Sequence, residues 1–388
     1  MNPDRRNFIL FYSSSFTWNV ALGLTYLLIP LQAHHLGMSG LTVGSLIALP
    51  VVLQFILNLA GGAWADRIGG RAIMIASFIF TVVAAGTFAV TNSFAGLLAA
   101  QILMVVARAI YWPASWSIAS QMPGDPSRQM GHLNAIGSAG QIGGTVGAGL
   151  IIAWWGFGAG FWIMLALGVA SVVLGSLFSF RLPPRAGEPQ SMMATFASLL
   201  KRRSIYFGCV CAYLSALPFS LSVSFYPILL VEQGFNSDAN GLLMAIRALG
   251  SIAAGMVVAR FVTHAGARSV PLVSGLVTAL SIALVAAVHQ PALIALFLLG
   301  VGLGSGVMTI YFQVLTTSLT AADQRGSAMA LAGTGWSISH FTSPLAMGWL
   351  TDLYGIQMAF YGLGAFAALA SLALAPLHRW SFRDGRAI

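Results

Sequence analysis

Two arginines lie deep inside long apolar runs of this chain. Arg108 is near the middle of the run 94–120, and Arg247 lies within the run 238–262. All nine Asp and Glu residues lie at or beyond the ends of such runs, so no acidic side chain inside them can neutralise either charge. Because guanidinium groups suit carboxylate and phosphate, the arginines predict contact with a small anionic molecule. For Arg247 the alternative is packing among helix ends.

Amide, phenol, indole and imidazole side chains in the other apolar runs extend the predicted site. They are Trp18, Asn19, Tyr26, Tyr111, Gln141, Tyr226, Tyr311, Gln313 and His340. The alternative for each aromatic ring is that it faces lipid or packs between helices. His340 can carry a proton because imidazole titrates near neutral pH. The alternative is that it is a buried structural histidine with its hydrogen bonds satisfied.

A short charged segment interrupts the apolar sequence between the second and third runs. It reads Gly62-x-x-x-Asp66-Arg67-x-Gly69-x-Arg71. Glycine allows a tight backbone turn and a close approach of two helices. Asp66 can pair with a nearby arginine or lie at the N-terminus of the next helix. The segment therefore predicts a charged turn between two membrane-spanning helices.

The composition predicts an all-α integral membrane protein. The chain has 388 residues, of which 58% are hydrophobic and 7% charged, whereas soluble domains carry about a quarter charged residues. Twelve apolar segments are each close to the ~20 residues that cross a bilayer, and they are far longer than barrel strands. The predicted spans are 8–34, 40–65, 71–91, 94–120, 129–153, 157–180, 205–232, 238–262, 267–288, 291–318, 326–350 and 356–376.

The basic residues predict the orientation in the membrane. An even number of spans places both termini on one side, and sixteen of the eighteen Lys and Arg then lie on that side. The two others are Arg108 and Arg247, inside the spans. This distribution follows the positive-inside rule, so we expect both termini in the cytoplasm and a location in the bacterial inner membrane. It also accounts for the net charge of +9 without a nucleic-acid partner.

The chain also shows signs of internal duplication. A polar segment, 181–204, predicts a cytoplasmic linker between an N-terminal half, 1–180, and a C-terminal half, 205–388. Five residue pairs share one offset of 197 positions, which supports duplication. They are Pro30 and Pro227, Gly37 and Gly234, Gly44 and Gly241, Gly69 and Gly266, and Arg71 and Arg268.

The pattern from Gly62 to Arg71 resembles the loop signature of the major facilitator superfamily, except that Gly70 replaces a basic residue. The resemblance implies twelve transmembrane helices in two pseudo-symmetric six-helix halves, and rocker-switch alternating access. It further implies that the charged turn is an inner-face latch of the outward-open state. In this family helices one, four, seven and ten line the central cavity. Arg108 resembles the fourth-helix arginine of many members, which is often tied to backbone carbonyls or to gating. Structural or coupling work is therefore the alternative to substrate contact for Arg108.

The glycine-rich segment 137–149 resembles the fifth helix of drug–proton antiporters, yet it lacks their Gly-Pro pair. The first span also lacks the buried acid that many of those exporters use. We therefore expect secondary active transport of a small, anionic organic molecule. The alternatives are a proton-coupled exporter of amphipathic compounds and a non-transporting sensor or scaffold on the same fold.

Sequence motifs for enzymatic chemistry are absent from the chain. No ATP-binding loop, zinc-ligand spacing or nucleophile elbow occurs in the sequence, and Cys209 and Cys211 are placed like small core residues. We expect no catalytic activity, no cofactor and no bound metal. The expected partners are the substrate, protons as a coupling ion and the lipid bilayer, and we expect the protein to be a monomer.

Overall fold

The computed structural model describes residues 3–179, 198–261, 269–320 and 324–381, without the side chains of 3–4, 58–68, 126–127, 256–261 and 325–326. All regular secondary structure in these ranges is helical. The helices are α1 (Pro3–His35), α2 (Gly40–Ile68), α3 (Gly70–Val90), α4 (Phe94–Gln121), α5 (Pro126–Leu177), α6 (Arg203–Ser222), α7 (Phe225–Glu232), α8 (Ser237–Phe261), α9 (Ser269–Ala287), α10 (Pro291–Ser318), α11 (Arg325–Ala332), α12 (Thr334–Tyr354) and α13 (Ile356–Ser381).

Four of the predicted spans differ in detail from the helices. The fifth and sixth spans form the continuous run α5, which is broken at Gly156, where the backbone has φ 77° and ψ 179°. The seventh span divides into α6 and α7 at Val223 and Ser224, and the eleventh divides at Gly333 into α11 and α12. The break at Gly156 falls between two predicted spans, whereas the other two breaks fall inside a predicted span, where hydropathy alone does not detect them.

Nine helices in the described ranges are long and apolar enough to span a membrane. The helix α12 is not among them, because serine, threonine and His340 lower its mean hydropathy. The helix α8 is not among them either, and the side chains at its C-terminal end lie outside the described residues. Most of the predicted linker 181–204 also lies outside the described ranges.

The α-carbon contacts divide the chain into two compact units. Unit 1 contains residues 1–38, 46–186 and 234–242, and unit 2 contains 39–45, 187–233 and 243–388. The helix α2 therefore begins in unit 2 and continues in unit 1. Within unit 2, the Asp352 carboxylate accepts hydrogen bonds from the backbone N–H groups of Gly40 at 2.6 Å and Leu41 at 2.8 Å. This side chain satisfies two N–H groups that have no partner inside the helix.

Unit 1 is organised around the close contact of α1 with α5. A Cβ atom on Gly23 would overlap the carbonyl oxygen of Gln141, and one on Gly144 would overlap that of Val20. Only glycine at these two positions lets the backbones approach so closely, as small residues do in membrane helix pairs. This contact brings the polar side chains of α1 and α5 within hydrogen-bonding distance.

Two of the residue pairs that suggest duplication have equivalent surroundings in the structure. Gly37, after α1, and Gly234, after α7, both have left-handed backbone, with φ of 72° and 89°. Gly44 in α2 packs against the backbone of Pro344, and Gly241 in α8 packs against the backbone of Thr145 and Val146. The matched glycines thus end one helix and allow a close backbone contact early in the next.

Candidate functional site

The first deep arginine has a neutral partner. Arg108 on α4 donates from Nη2 to Oε1 of Gln54 on α2, at 2.5 Å. Its Nε atom is buried and has no hydrogen-bond partner among the described residues. An arginine in a membrane costs at least ~2.5–3.5 kcal/mol on insertion scales, and a neutral amide offsets only part of this cost. The guanidinium group therefore keeps its net charge and an unused donor, both suited to an anionic oxygen.

A chain of hydrogen bonds connects four of the sequence-predicted residues in unit 1. Tyr26 donates to Oε1 of Gln141 at 3.2 Å, and Nε2 of Gln141 donates to Oδ1 of Asn19 at 2.9 Å. Asn19 in turn donates to the Tyr111 hydroxyl at 3.3 Å and to the Ser15 carbonyl oxygen at 2.8 Å. The network joins α1, α4 and α5 and fixes the orientation of both amide groups.

Trp18 packs against this network through Tyr111 and is fixed by its own contacts. Its ring stacks on Tyr111, with ring centroids 3.7 Å apart, and its indole N–H donates to Thr81 on α3 at 2.9 Å. Trp18 and Tyr111 are both fully buried. The indole is therefore satisfied within the protein, and its described contacts support Tyr111.

The second deep arginine lies among aromatic rings in unit 2. Arg247 on α8 is buried, and its guanidinium carbon is 6.0 Å from the ring centroid of Phe219 on α6. Phe219 also lies 5.3 Å from the ring of His340 and 5.8 Å from that of Trp336, both on α12. Two of the sequence-predicted residues, Arg247 and His340, are thus joined through one phenyl ring.

The orientation of the His340 ring follows from its backbone contact. The Nδ1 atom is 2.9 Å from the carbonyl oxygen of Trp336. A carbonyl oxygen only accepts hydrogen bonds, so Nδ1 carries the proton in the neutral ring and a second proton would bind at Nε2. The ring also stacks on Trp336, at 5.2 Å between centroids and 21° between planes.

Two buried tyrosine hydroxyls in unit 2 have no hydrogen-bond partner among the described residues. They belong to Tyr226 on α7, which is 0% exposed, and Tyr311 on α10, which is 2% exposed. Tyr226 is close enough to Arg247 for the guanidinium charge to act on its phenol. Gln313, two residues beyond Tyr311, has an exposed side chain. An unsatisfied buried hydroxyl costs about 1–3 kcal/mol, so these tyrosines offer unused polar groups to a ligand.

The charged turn between α2 and α3 is described in part. Gly69 has φ 97°, which glycine adopts without strain. The surroundings of Gly62 and the side chains of Asp66 and Arg67 lie outside the described residues. Arg71 donates to the carbonyl oxygens of Ser176 at 2.6 Å and Gly175 at 3.4 Å. These carbonyls belong to the last turn of α5, where acceptors lack helical partners. Arg71 therefore ties the start of α3 to the end of α5, and the latch stays a prediction.

The structure adds three site residues that the sequence prediction missed. Gln54 pairs with Arg108, Thr81 accepts from Trp18, and Trp336 stacks on His340. Gln54 is a lone amide within an apolar run, which is a signal of the same kind as Gln141. Trp336 precedes His340 by four residues, the spacing that places two side chains on one helix face.

Comparison with known families identifies the fold. The profile of the Major Facilitator Superfamily matches residues 8–214 and again 208–384. A mutant of the nucleoside transporter NupG superimposes with a TM-score of 0.81 at 15% identity, covering 97% of this chain and 100% of that one. A bacterial homologue of the human lysosomal transporter Spinster superimposes with a TM-score of 0.80 at 13% identity, covering 99% of both chains. These similarities confirm the predicted fold class.

Two curated relatives are similar in sequence at lower levels. Multidrug resistance protein 1 of Bacillus subtilis is 23% identical over 373 residues, which cover 92% of this chain and 94% of the relative. The quinolone resistance protein NorA of Staphylococcus aureus is 25% identical over 143 residues, which cover 36% of each protein. The chain thus aligns with about a third of the length of NorA.

Proposed function

Because the chain belongs to the major facilitator superfamily, we propose that it moves a small organic anion across the bacterial inner membrane, driven by a solute or ion gradient. The single observation that carries this proposal is Arg108, a partly buried guanidinium group with a buried Nε atom, whose hydrogen-bond partner, Gln54, is a neutral amide. Arg247 adds a second buried cation in unit 2. Both termini lie in the cytoplasm in this proposal, as the distribution of basic residues predicts.

The residues in the two units have different roles in this proposal. In unit 1, Arg108 binds the anionic group, and the amides of Asn19 and Gln141 hold the surrounding hydrogen-bond network in place. In unit 2, Arg247 is a separate cation at which negative charge can bind. Alternating access exposes these groups to each side of the membrane in turn, and the turn from Gly62 to Arg71 is the inner-face latch.

Counterflow in proteoliposomes tests the proposal. The substrate is first sought by thermal shift with a panel of organic anions, amines and neutral compounds. Arg108→Ala and Arg247→Ala should each abolish transport of an anion found in this way, while expression and folding stay intact. Arg203→Ala is the matched control, because Arg203 is an exposed arginine at the start of α6. Its guanidinium carbon lies 5.1 Å from the ring centroid of Trp380. Transport that survives Arg247→Ala, or a ligand without negative charge, would refute the proposal.

A second candidate function is proton-coupled export of amphipathic compounds. Its support is the sequence similarity to proteins named for multidrug and quinolone resistance. His340 supplies a buried imidazole for the proton. Deletion of the gene should then lower resistance to several unrelated compounds, and His340→Gln should remove the dependence of export on the proton gradient. Unchanged susceptibility in the deletion strain argues against this function.

A further inference from the structure

We propose that basic and aromatic side chains at the start of α6 and at the end of α13 form a binding surface for the phosphate headgroup of an anionic membrane lipid. The residues of this lipid surface, all in unit 2, are Lys201, Arg202, Arg203, Tyr206, Arg379 and Trp380. The inference goes beyond the proposed function, because the lipid is a component of the bilayer and is not the transported molecule. It requires only that the chain spans a membrane, which follows from its family.

Contacts between the two helix ends bring these residues together. The guanidinium carbon of Arg203 lies 5.1 Å from the ring centroid of Trp380, and the Ser381 hydroxyl donates to the backbone carbonyl oxygen of Arg203 at 3.4 Å. The two residues before Arg203 and the one before Trp380 are also basic. Four cations therefore lie close to one another, at the ends of two helices that are long and apolar enough to span a membrane.

The described contacts of these cations are with neutral groups, so the positive charge is retained. Arg202 donates from Nη2 to Oε1 of Gln324 at 3.3 Å, and Arg203 lies over an aromatic ring, which leaves the N–H edges of its guanidinium group for other acceptors. All four basic side chains are exposed. In the described part of unit 2 the acidic residues are Glu232, at the end of α7, and Asp352, which is bonded to the start of α2.

The sequence around the lipid surface has the same excess of positive charge. The segments 181–204, 320–325 and 377–388 contain nine Lys and Arg against three acidic residues, Glu188, Asp323 and Asp384. Phosphate matches this excess, because guanidinium groups donate two parallel hydrogen bonds to its oxygens. Each Lys or Arg near a membrane surface adds about 1 kcal/mol of attraction to anionic lipids.

Exposed aromatic and apolar side chains indicate that this surface lies at the level of the lipid headgroups. Tyr206 is 47% exposed, Trp380 41% and Leu200 46%. Tyrosine and tryptophan are enriched at the boundary between the bilayer and water, where one part of the ring is apolar and the other is polar. A lipid bound here can place its acyl chains against these side chains and its phosphate against the cations.

The turn before α6 is held in place before any lipid binds. Leu199 and Ile205 are buried and pack with Ala328 of α11. The Tyr206 hydroxyl donates to the backbone carbonyl oxygen of Leu200 at 2.8 Å. Less conformational freedom is therefore lost when a lipid binds, which favours binding at this surface.

Native mass spectrometry of the purified full-length protein tests this inference, with dioleoyl phosphatidylglycerol and dioleoyl phosphatidylcholine as probes. The two lipids have the same acyl chains and differ in net charge. We expect phosphatidylglycerol to bind more tightly, by about fivefold for each basic residue in contact with it. Arg203→Gln should reduce this preference by about fivefold, and the triple variant Lys201→Gln, Arg202→Gln, Arg203→Gln by roughly tenfold or more.

The matched control removes the same charge from another part of the chain. Arg5, Arg6 and Arg128 are exposed arginines in unit 1, and their combined replacement by glutamine should keep the preference for phosphatidylglycerol. Melting temperatures show whether each variant is folded.

The ring contact of Arg203 has its own test. Trp380→Leu should weaken phosphatidylglycerol binding by about two- to fivefold, because the guanidinium group loses the ring that orients it, whereas Trp380→Phe should retain most of the affinity. Trp349→Leu, at another exposed tryptophan of unit 2, should have no effect.

The outcomes separate this inference from the proposed function. Equal binding of the two lipids to the unaltered protein, or equal losses in the two triple variants, overturns the lipid surface and leaves the anion proposal standing. Glycerol phosphate that binds as tightly as phosphatidylglycerol also overturns it, because the surface would then be a site for a soluble phosphate. In proteoliposomes of phosphatidylcholine alone there is no anionic lipid, so Arg203→Ala keeps its place as a transport control, and survival of transport in Arg108→Ala overturns only the anion proposal.

Discussion

Arg108 in unit 1 and Arg247 in unit 2 both lie within apolar helices, but their surroundings differ in chemistry. In unit 1 the Arg108 guanidinium is hydrogen-bonded to an amide, and an adjacent network consists of amides and phenols. In unit 2 the Arg247 guanidinium lies next to Phe219, which packs against Trp336 and His340. One unit therefore offers directional hydrogen bonds around its charge, and the other offers ring faces.

The two matched glycine pairs share a backbone arrangement, whereas the two arginines have no counterparts at the same offset. The paired glycines Gly37 and Gly234 keep the same left-handed backbone in both parts of the chain. The arginines have no such equivalence, because Arg108 is on α4 and Arg247 is on α8. The surroundings of the two arginines are chemically distinct, so the predictions below alter one of them at a time.

The largest effect is expected from Gln54→Glu. A carboxylate in place of the amide would pair with Arg108 and neutralise the charge that unit 1 offers to an anion. Close charge pairs couple by about 1.5–7 kcal/mol, and this pair is partly buried, so we expect about 100-fold weaker binding of the anion. Isothermal titration with the ligand identified by thermal shift measures this change.

Gln54→Leu separates charge from hydrogen bonding at the same position. It removes the amide acceptor but leaves the Arg108 charge uncompensated, so the loss of anion affinity should be about tenfold or less. The test for unit 1 is whether Gln54→Glu loses more anion affinity than Gln54→Leu. Equal losses in both would show that Gln54 acts through packing and that the Arg108 charge does not select the ligand.

The sequence predicted the fold more completely than the site. Long apolar runs and the distribution of arginines sufficed for the fold class, because each span must satisfy its backbone hydrogen bonds within itself. Asn19, Tyr26, Tyr111 and Gln141 were also identified, as polar groups in apolar runs. Their mutual hydrogen bonds, and the partners Gln54 and Trp336, depend on helix rotation and approach, which hydropathy does not encode.

The next largest effect is expected from Gly144→Ala, which acts on the helix contact beneath the unit 1 network. The added methyl group would overlap the Val20 carbonyl oxygen and separate α1 from α5. Overpacking of this kind costs about 1–3 kcal/mol, and the hydrogen bond between Gln141 and Asn19 would lengthen. We expect a lower melting temperature in detergent and weaker anion binding.

Gly147→Ala is the matched control on the same helix, because nothing lies within 4 Å of a Cβ atom built there. Its melting temperature should be unchanged or slightly raised, since alanine favours helix by about 1 kcal/mol over glycine. The aromatic cluster of unit 2 should be intact in both variants. Similar destabilisation of the two would show that helix flexibility, and not the close contact at Gly144, determines the stability of unit 1.

A smaller effect is expected in unit 2 from Tyr226→Phe. The substitution removes a fully buried hydroxyl that has no hydrogen-bond partner among the described residues, so the melting temperature should rise by an amount equivalent to about 1 kcal/mol. If the hydroxyl binds the ligand beside Arg247, anion affinity should fall by about two- to tenfold at the same time. Tyr354→Phe, at an exposed tyrosine, controls for loss of a phenol. Increased stability without loss of affinity would place Tyr226 outside the site.

The smallest effect is expected from Asp352→Asn, which tests the helix that both units share. The first residues of α2 are held by Asp352 in unit 2, and the same helix carries Gln54 in unit 1. Asparagine can accept only one of the two backbone hydrogen bonds well, so we expect a loss of about 0.5–1 kcal/mol in stability. Glu232→Gln, at an exposed acid, should cause no loss. Because Gln54 lies more than three helical turns from Gly40, the anion affinity of Asp352→Asn should stay constant. A fall in affinity would show that the first turn of α2 determines the position of Gln54 relative to Arg108.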